Sequence, residues 1–216
     1  MSNQTPFLSI IVPIYNETKR LNNLSTIHNF LKQQKFNSEI IVVNDGSTDQ
    51  TLQKLKILTK KLGFKIVSYS INKGKGFAVK MGIIQAKGQF RLFSDLDLST
   101  PMEEFSKFYP YLKKYDILIG SRKLKGAKLI NRQPIIREYL GRGFTLLSRI
   151  ILGVNISDFT CGFKCFSKQA AEKIFTRQKI NRWGFDSEIL FIAKNKGLKI
   201  KEIPVKWSND ERTKVK

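Results

Sequence analysis

In the stretch Arg91-Leu-Phe-Ser-Asp-Leu-Asp-Leu-Ser99 an apolar strand runs directly into two carboxylates, and this arrangement is the strongest indication of the fold. Asp95 and Asp97 are two residues apart, and in an extended chain such side chains point the same way. Both can face one site beyond the strand's carboxyl end, where ligands usually bind in an α/β sheet. Two carboxylates suit Mg²⁺ or Mn²⁺. We predict Asp97 as the main metal ligand and Asp95 as a second ligand or a partner of ribose and sugar hydroxyls.

Strand and helix patterns alternate around this stretch. Asp49 is the best N-cap of the second helix, and Thr100-Pro101 with Glu103 predicts a capping box further on. Strands that alternate with helices indicate an α/β fold with a mostly parallel sheet and helices on both faces. Short apolar runs predict its strands at residues 7–12, 39–43, 64–69, 89–93 and 115–119.

The pattern changes after Gly120. A basic, irregular stretch leads into an amphipathic helix over residues 134–152, and a segment rich in Cys, Gly and Phe follows at 158–166. A helix over 185–196 and a strand over 199–205 complete the chain. The apolar stripe of the long helix either packs on the sheet or lies in a membrane interface. It consists of Ile136, Leu140, Phe144, Leu147 and Ile151.

The composition of the 216 residues, 41% hydrophobic and 26% charged, is that of a folded protein. Cys161 and Cys165, with His28 as the one histidine, lack partners for a structural zinc site, so we expect reduced thiols. We recognise no signal peptide and no apolar run long enough to cross a bilayer, and therefore expect no membrane span.

The charge is strongly basic, with 39 Lys and Arg against 17 Asp and Glu, a formal +22. Such a charge favours anionic partners, namely phosphorylated substrates, an anionic membrane surface or nucleic acid. Because we find no helix-turn-helix, zinc-finger or RNP signature, we expect no nucleic-acid partner.

Seven short segments together resemble known enzymes. Four of them, at predicted strand ends, resemble the nucleotide-sugar-binding half of family 2 glycosyltransferases of the GT-A fold: Val12-Pro-Ile-Tyr-Asn-Glu17, Val43-Asn-Asp-Gly-Ser-Thr-Asp49, Asn72-Lys-Gly-Lys-Gly76 and Asp95-Leu-Asp97. Three others resemble the branch that glycosylates polyprenyl phosphates, nearest to the dolichyl-phosphate β-glucosyltransferases: Gly120-Ser-Arg122, Asp158-Phe-Thr-Cys-Gly-Phe-Lys164 and Arg182-Trp-Gly-Phe-Asp-Ser-Glu188. The resemblance implies one GT-A (Rossmann-like) catalytic domain over residues 1–216, with 1–120 for the donor and 121–216 for the acceptor.

The resemblance assigns roles at the predicted strand tips. Glu17 is expected to accept hydrogen bonds from ribose hydroxyls, Asp45 from the imide N–H of uracil, and Lys73 to meet phosphate or base. Without the resemblance, each of these segments also fits an ordinary turn. The expected donor-binding residues are Pro13, Tyr15, Glu17, Asp45, Lys73, Gly74 and Asp95.

The resemblance also implies an acceptor site in the second half. Arg122 and Arg137 are expected to bind the acceptor phosphate, because guanidinium groups bind phosphate in a bidentate way. Asp95, Asp97 and Arg122 are the expected catalytic residues. Four further residues are expected either to bind the sugar or to order loops: Asp158, Arg182, Asp186 and Glu188. For the three acidic residues, ion pairing with Arg182 is the structural alternative.

The expected reaction moves a hexose, most simply glucose from UDP-glucose, to a polyprenyl or dolichyl phosphate. A lipid phosphate is already an anion and needs no catalytic base, whereas a hydroxyl acceptor does. Direct attack inverts the anomeric carbon and yields a β-linked product. We expect a peripheral enzyme at the cytoplasmic face of a membrane. The alternatives are transfer to a sugar hydroxyl in glycan assembly and a mannosyltransferase that uses GDP-mannose.

Overall fold

The computed structural model describes residues 5–131 and 135–210, without the side chains of Ile135 and Arg137. Its strands are β1 (Leu8–Ile14), β2 (Ser38–Asp45), β3 (Lys65–Tyr69), β4 (Phe90–Ser94), β5 (Ile117–Ser121), β6 (Lys128–Leu129), β7 (Phe163–Ser167), β8 (Ile200–Pro204) and β9 (Lys206–Trp207). Its α-helices are α1 (Asn23–Lys32), α2 (Thr51–Leu62), α3 (Lys75–Gln85), α4 (Ile135–Leu152), α5 (Lys168–Phe175) and α6 (Phe185–Asn195). Two 3₁₀ segments cover Met102–Lys107 and Tyr109–Tyr111.

A seven-stranded sheet with the order β3-β2-β1-β4-β7-β5-β8 forms the centre of the molecule. Strand β7 runs antiparallel to both of its neighbours, β4 and β5, while the other pairs in this sheet are parallel. This confirms the predicted mixed, mostly parallel sheet. The apolar pattern predicts the other large strands to within two residues, but it predicts no strand at β7, where a lysine interrupts the aromatic residues.

Helices cover both faces of the sheet, as predicted. One face packs on α1, α2 and the first 3₁₀ segment through Ile10, Val12, Leu24, Ile27, Leu55 and Phe105. The other packs on α3, α5 and α6 through Ile11, Ile41, Val43, Ala78, Ile83, Phe175 and Ile189. Because these strands are buried on both sides, they consist of nearly continuous apolar runs.

Three local predictions differ from the structure. Asp49 is not the N-cap of α2, whose N-cap is Gln50, although the Asp49 carboxylate accepts the Thr51 N–H at 2.9 Å. The first strand does not end at residue 12, because β1 continues through Pro13 to Ile14. Proline fits there because β4 pairs with β1 only as far as Ile11 opposite Phe93, so the N–H that proline lacks is not needed on that side. The capping box at Thr100 is absent, since a 3₁₀ turn follows without a side-chain cap. The Thr100 hydroxyl instead lies 3.9 Å from the buried, free thiol of Cys161, whose pKa burial raises to about 11.

Helix α4 turns its polar side inward and its apolar side outward. Of its described side chains, those of Thr145 and Ser148 are buried, and the Lys123 ammonium donates to the Thr145 hydroxyl at 2.7 Å. On the opposite side Ile136 and Ile151 are each 76% exposed, with Leu140, Phe144, Leu147 and Ile150 also exposed. The interpretation in which this stripe packs on the sheet is therefore wrong. Among the residues that the structure describes, no helix has the length and apolarity to cross a membrane.

Candidate active site at the carboxyl edge of the sheet

Asp95 and Asp97 lie just beyond the carboxyl end of β4, as predicted. The Asp95 N–H donates to the Gly162 carbonyl at 3.2 Å, and the Ser99 N–H donates to Asp97 Oδ1 at 2.9 Å. Leu98, between Asp97 and Ser99, adopts the left-handed region, with φ of 51°. The two carboxylates line a cavity of about 20 Å³ with Ser94, Ser99, Thr100, Gly162 and Trp207. A volume of this size holds about one water-sized species.

The electrostatics of this pair favour a cation. Burial and then repulsion by Asp95 raise the pKa of Asp97 above its ordinary value, against the opposing effects of Ser99 and Lys75. A divalent ion between the carboxylates would relieve both effects. No group of three or more His, Cys, Asp or Glu suited to a metal occurs among the described residues. The two aspartates fit Mg²⁺ or Mn²⁺ provided that substrate oxygens or water complete the shell.

Gly162 makes room for the Asp95 carboxylate. A Cβ at this position would overlap Asp95 Oδ2, far inside van der Waals contact. Because the Gly162 carbonyl also accepts the Asp95 N–H, the chain ahead of β7 fixes both ends of the aspartate. The sequence pattern does not predict this contact, which joins residues beside two antiparallel strands.

Two lysines that sequence reasoning missed pair with aspartates here. The Lys75 ammonium contacts both carboxylate oxygens of Asp95, at 2.7 and 2.9 Å. Burial opposes the charge of Lys75, but Asp95, Asp186 and Asp97 outweigh it and hold its pKa above the ordinary value. Lys164 is fully buried and donates to Asp186 at 2.5 Å and to the Cys161 carbonyl at 2.7 Å. The sequence feature that could have indicated this ion pair is Lys164 itself, which lies among aromatic residues, because a buried charge requires a partner.

Asp45 organises the loop that precedes α3. Its carboxylate accepts hydrogen bonds from Asn72 Nδ2 at 2.9 Å and from the N–H groups of Lys73 and Gly74, each at 2.8 Å. Gly74 has a φ of 101°, and a Cβ there would lie 2.5 Å from Arg182 Cγ. The predicted uracil acceptor therefore also sets the backbone of the Asn72–Gly76 segment.

The other predicted donor-binding residues lie along the same edge. Tyr15 is 40% exposed, and Glu17 accepts from Arg20 at 3.2 Å. The Lys73 ammonium lies over the Phe77 ring, 4.6 Å from its centroid. Asn16 joins the first two loops, because its side-chain oxygen accepts the Thr48 N–H at 2.8 Å.

Arg122 lies beside the aspartate cavity but is held by Asp158. Its Nε and Nη2 donate to the two Asp158 oxygens, each at 2.7 Å, and its guanidinium stacks on Trp207 at 5.3 Å from the ring centroid. Burial alone would raise the pKa of Asp158, but Arg122 holds it below the ordinary value. Trp207, which lines the cavity, thus connects the predicted acceptor arginine with the predicted metal site. The side chain of Arg137, the other predicted phosphate ligand, lies outside the described residues.

The suggested ion pairs to Arg182 are wrong. Asp158 pairs with Arg122, and Asp186 pairs with Lys164. Glu188 accepts the N–H groups of Lys179 and Ile180, each at 2.8 Å, and so orders the loop before α6. Arg182 itself donates to the Asn72 carbonyl at 3.2 Å, which joins that loop to the segment after β3.

This sheet, with two aspartates at its carboxyl edge, has the architecture expected of the GT-A fold. Residues 9–175 match the family model of Glycosyl transferase family 2, and the chain belongs to that family.

Several curated relatives of the chain carry the name dolichyl-phosphate beta-glucosyltransferase. One protein of Trichomonas vaginalis is 36% identical over 97% of this chain and 66% of its own length. The Drosophila melanogaster protein is 36% identical over 96% of this chain and 69% of its own length. The human protein is 34% identical over 98% of this chain and 70% of its own length. The chain therefore spans about two thirds of the length of these relatives.

Solved structures support the fold. Glucosyl-3-phosphoglycerate synthase from Mycobacterium tuberculosis in complex with UDP aligns with a TM-score of 0.70 at 20% identity, over 97% of this chain and 74% of that one. A mannosyltransferase from Pyrobaculum calidifontis, in complex with GDP-Man and Mn²⁺, aligns with a TM-score of 0.64 at 19% identity, over 97% and 59%. These likenesses confirm the GT-A fold.

Proposed function

We propose that this protein transfers glucose from UDP-glucose to dolichyl phosphate or a related polyprenyl phosphate, with inversion at the anomeric carbon. The observation that carries the proposal is the position of Arg122. Its guanidinium lies over the ring of Trp207, and Trp207 lines the aspartate cavity. The residue expected to bind the acceptor phosphate is thus in contact with a residue that lines the predicted metal site. The relatives' shared name supports the same acceptor.

Asp97 and Asp95 would hold Mg²⁺ or Mn²⁺, and the ion when bound supplies positive charge for the leaving diphosphate. The N-terminus of α3 offers a favourable helix dipole to the same diphosphate, beside the Asn72–Gly76 segment that Asp45 holds in place. Tyr15, Glu17, Asp45 and Lys73 would position the nucleoside. In this arrangement residues 1–120 bind the donor and residues 121–216 bind the acceptor.

The ion pairs at this edge favour a phosphate acceptor over a sugar hydroxyl. Asp158 pairs with Arg122, which holds the pKa of this carboxyl below its ordinary value and so weakens it as a base, and the carboxylates of Asp95 and Asp186 are each occupied by a lysine. A hydroxyl acceptor would need a carboxylate that can take its proton. A lipid phosphate arrives as an anion and requires only positioning, which Arg122 can provide.

Helix α4 would bring the enzyme to its lipid substrate at the cytoplasmic face of a membrane. Its outward apolar side has the character of a helix that lies in a membrane interface. The basic stretch just before it, with Lys123, Lys125 and Lys128, adds attraction to anionic headgroups.

A donor screen tests the proposal. Radiolabelled UDP-glucose, GDP-mannose and other nucleotide sugars are each incubated with the protein, Mn²⁺ and either a polyprenyl phosphate or a free oligosaccharide. We expect label from UDP-glucose in a lipid product with a β-linked, acid-labile phosphodiester. Transfer from GDP-mannose alone, or transfer only to sugar hydroxyls, would contradict the proposal.

The metal role is tested in the same assay. We expect chelator to abolish transfer and Asp97→Asn to lower turnover by about 10²–10³, the usual scale for losing an important electrostatic stabiliser. Glu103→Gln, which removes an exposed acid from the neighbouring 3₁₀ segment, is the matched control and should retain full turnover. Full activity of Asp97→Asn would exclude this role.

A further inference from the structure

Two lysines pair with Asp95 and Asp186 at the candidate site, and they differ in how firmly they are held. Lys164 extends from the middle of β7, is fully buried, and donates to both Asp186 and a backbone carbonyl. Lys75 begins α3, its side chain is 44% exposed, and its ammonium donates to Asp95. Lys75 can therefore leave its aspartate by rotating about its own side-chain bonds, whereas Lys164 cannot.

The Lys75 ammonium occupies the coordinating atoms of a predicted metal ligand. It lies 2.7 Å from Asp95 Oδ1 and 2.9 Å from Oδ2, so both oxygens are engaged at once. A divalent ion on the same carboxylate would come close to this ammonium, and the two positive charges would repel each other in a partly buried place. In the free protein, metal binding must therefore overcome the ion pair.

A bound diphosphate would favour metal binding at Asp95 over the ion pair with Lys75. Lys75 is the first residue of α3, and the N-terminus of an eleven-residue helix favours anions. A diphosphate held there could accept the ammonium that Asp95 releases, so that Lys75 exchanges one anion for another.

We infer that Lys75 is an internal counterion of Asp95, which the divalent cation must displace, so that the site takes up its metal together with the donor diphosphate. This inference rests on the proposed function, since it takes the aspartates as metal ligands and a nucleoside diphosphate as the donor. It assigns Lys75 a positioning role. In the free enzyme the ammonium offsets the repulsion between the carboxylates of Asp95 and Asp97, and its displacement couples metal binding to donor binding.

The experiment is a Mn²⁺ titration of the whole chain, followed by electron paramagnetic resonance, without nucleotide and then with saturating UDP. In the absence of UDP we expect Lys75→Met to bind Mn²⁺ about tenfold more tightly than the wild type, the lower range for a charge-assisted hydrogen bond. UDP should tighten Mn²⁺ binding strongly in the wild type and much less in Lys75→Met. Lys75→Arg keeps the charge and should behave like the wild type.

Lys80→Met is the matched control, because it removes the same charge from the same helix while its ammonium donates to the Gln178 carbonyl rather than to Asp95. In the nucleotide-free titration it should match the wild type. Equal or weaker Mn²⁺ binding by a folded Lys75→Met, with UDP-dependent binding retained in the wild type, would overturn the counterion role alone. Failure of every variant to bind Mn²⁺ even with UDP would overturn the metal part of the proposed function as well. The acceptor does not enter this titration, so an error in its identity leaves the result unchanged.

Discussion

At the scale of single residues, Gly162 shows how closely the site is built. Its hydrogen atom faces Asp95 Oδ2 at a point where a methyl group cannot fit. Gly162→Ala must therefore push the carboxylate aside, and a displacement of about 1 Å in such a site can reduce turnover by about 10². We expect this loss in the glycosyl transfer assay, accompanied by weaker Mn²⁺ binding.

Gly141→Ala is the control for this substitution. Gly141 lies in α4, and no atom comes within 4 Å of the place that a Cβ would take, so Mn²⁺ binding should be unchanged. Replacing a glycine in a helix should raise the free energy of unfolding by about 0.5–1 kcal/mol. Normal Mn²⁺ affinity and turnover in Gly162→Ala would show that Asp95 does not depend on the contact.

Asp158 gives a prediction about acid stability. Arg122 holds its pKa below the ordinary 3.8, so the ion pair stabilises the fold fully above about pH 4. That contribution is lost as the pH falls through the folded-state pKa. Asp158→Asn, which leaves the buried Arg122 unpaired, should lower the free energy of unfolding by about 3 kcal/mol at pH 7.

Denaturant unfolding of both proteins across about pH 2–7 measures the effect. The difference between wild type and Asp158→Asn should shrink below about pH 4, because protonation of Asp158 breaks the same ion pair. A difference that stays constant down to the lowest pH would mean that the pair does not depend on the ionised carboxylate.

At the scale of elements, strands and helices differ in how well local pattern predicts them. The parallel strands and α1 to α3 follow from apolar periodicity, because each buries a face that the backbone geometry repeats. Strand β7 was not predicted, since its five residues carry a lysine whose partner, Asp186, lies on α6. For α4 the pattern predicts a helix with an apolar stripe but not the direction in which the stripe faces.

The outward stripe of α4 predicts binding to lipid. Replacing Leu140, Leu147 and Ile151 with glutamine should weaken binding to neutral phospholipid vesicles by at least about tenfold, because each loses apolar area buried in the interface. Their side chains are 59–76% exposed, so each change should alter the free energy of unfolding by less than about 0.5 kcal/mol. Vesicle flotation and denaturant unfolding measure the two quantities.

Ile57→Gln is the control, since Ile57 is 70% exposed but lies on α2. It should leave vesicle binding unchanged. A triple variant that loses stability and keeps its lipid affinity would indicate that α4 is a packing element.

At the scale of the whole molecule, the charge of +22 predicts a second, separable component of membrane binding. Each basic residue near an anionic surface contributes about 1 kcal/mol, and salt screens this attraction. Binding to vesicles with anionic lipid should therefore fall steeply between about 0.05 M and about 0.5 M salt. Binding to neutral vesicles through α4 should change little over this range. Equal salt dependence on both kinds of vesicle would contradict two separate contributions.

Local sequence pattern was enough to predict the parallel strands, the alternation of strand and helix in the first half of the chain, and the meeting of Asp95 and Asp97 beyond β4. These features are local, because the alternation of side chains along a strand and the position of the strand's end depend only on consecutive residues. Parallel pairing then brings the carboxyl ends of the strands to the same edge of the sheet. The same reasoning placed Arg122 after a strand, at the edge where the structure finds it.

The pairing of charges, the insertion of β7 and the direction in which α4 faces depend on the folded chain as a whole. Arg122 and Asp158 are separated by 36 positions, and Lys75 and Asp95 by 20. Such pairs form only when distant parts of the chain have folded against each other. Nothing in the periodicity of either segment distinguishes one carboxylate partner from another, because that choice depends on the packing of the whole molecule.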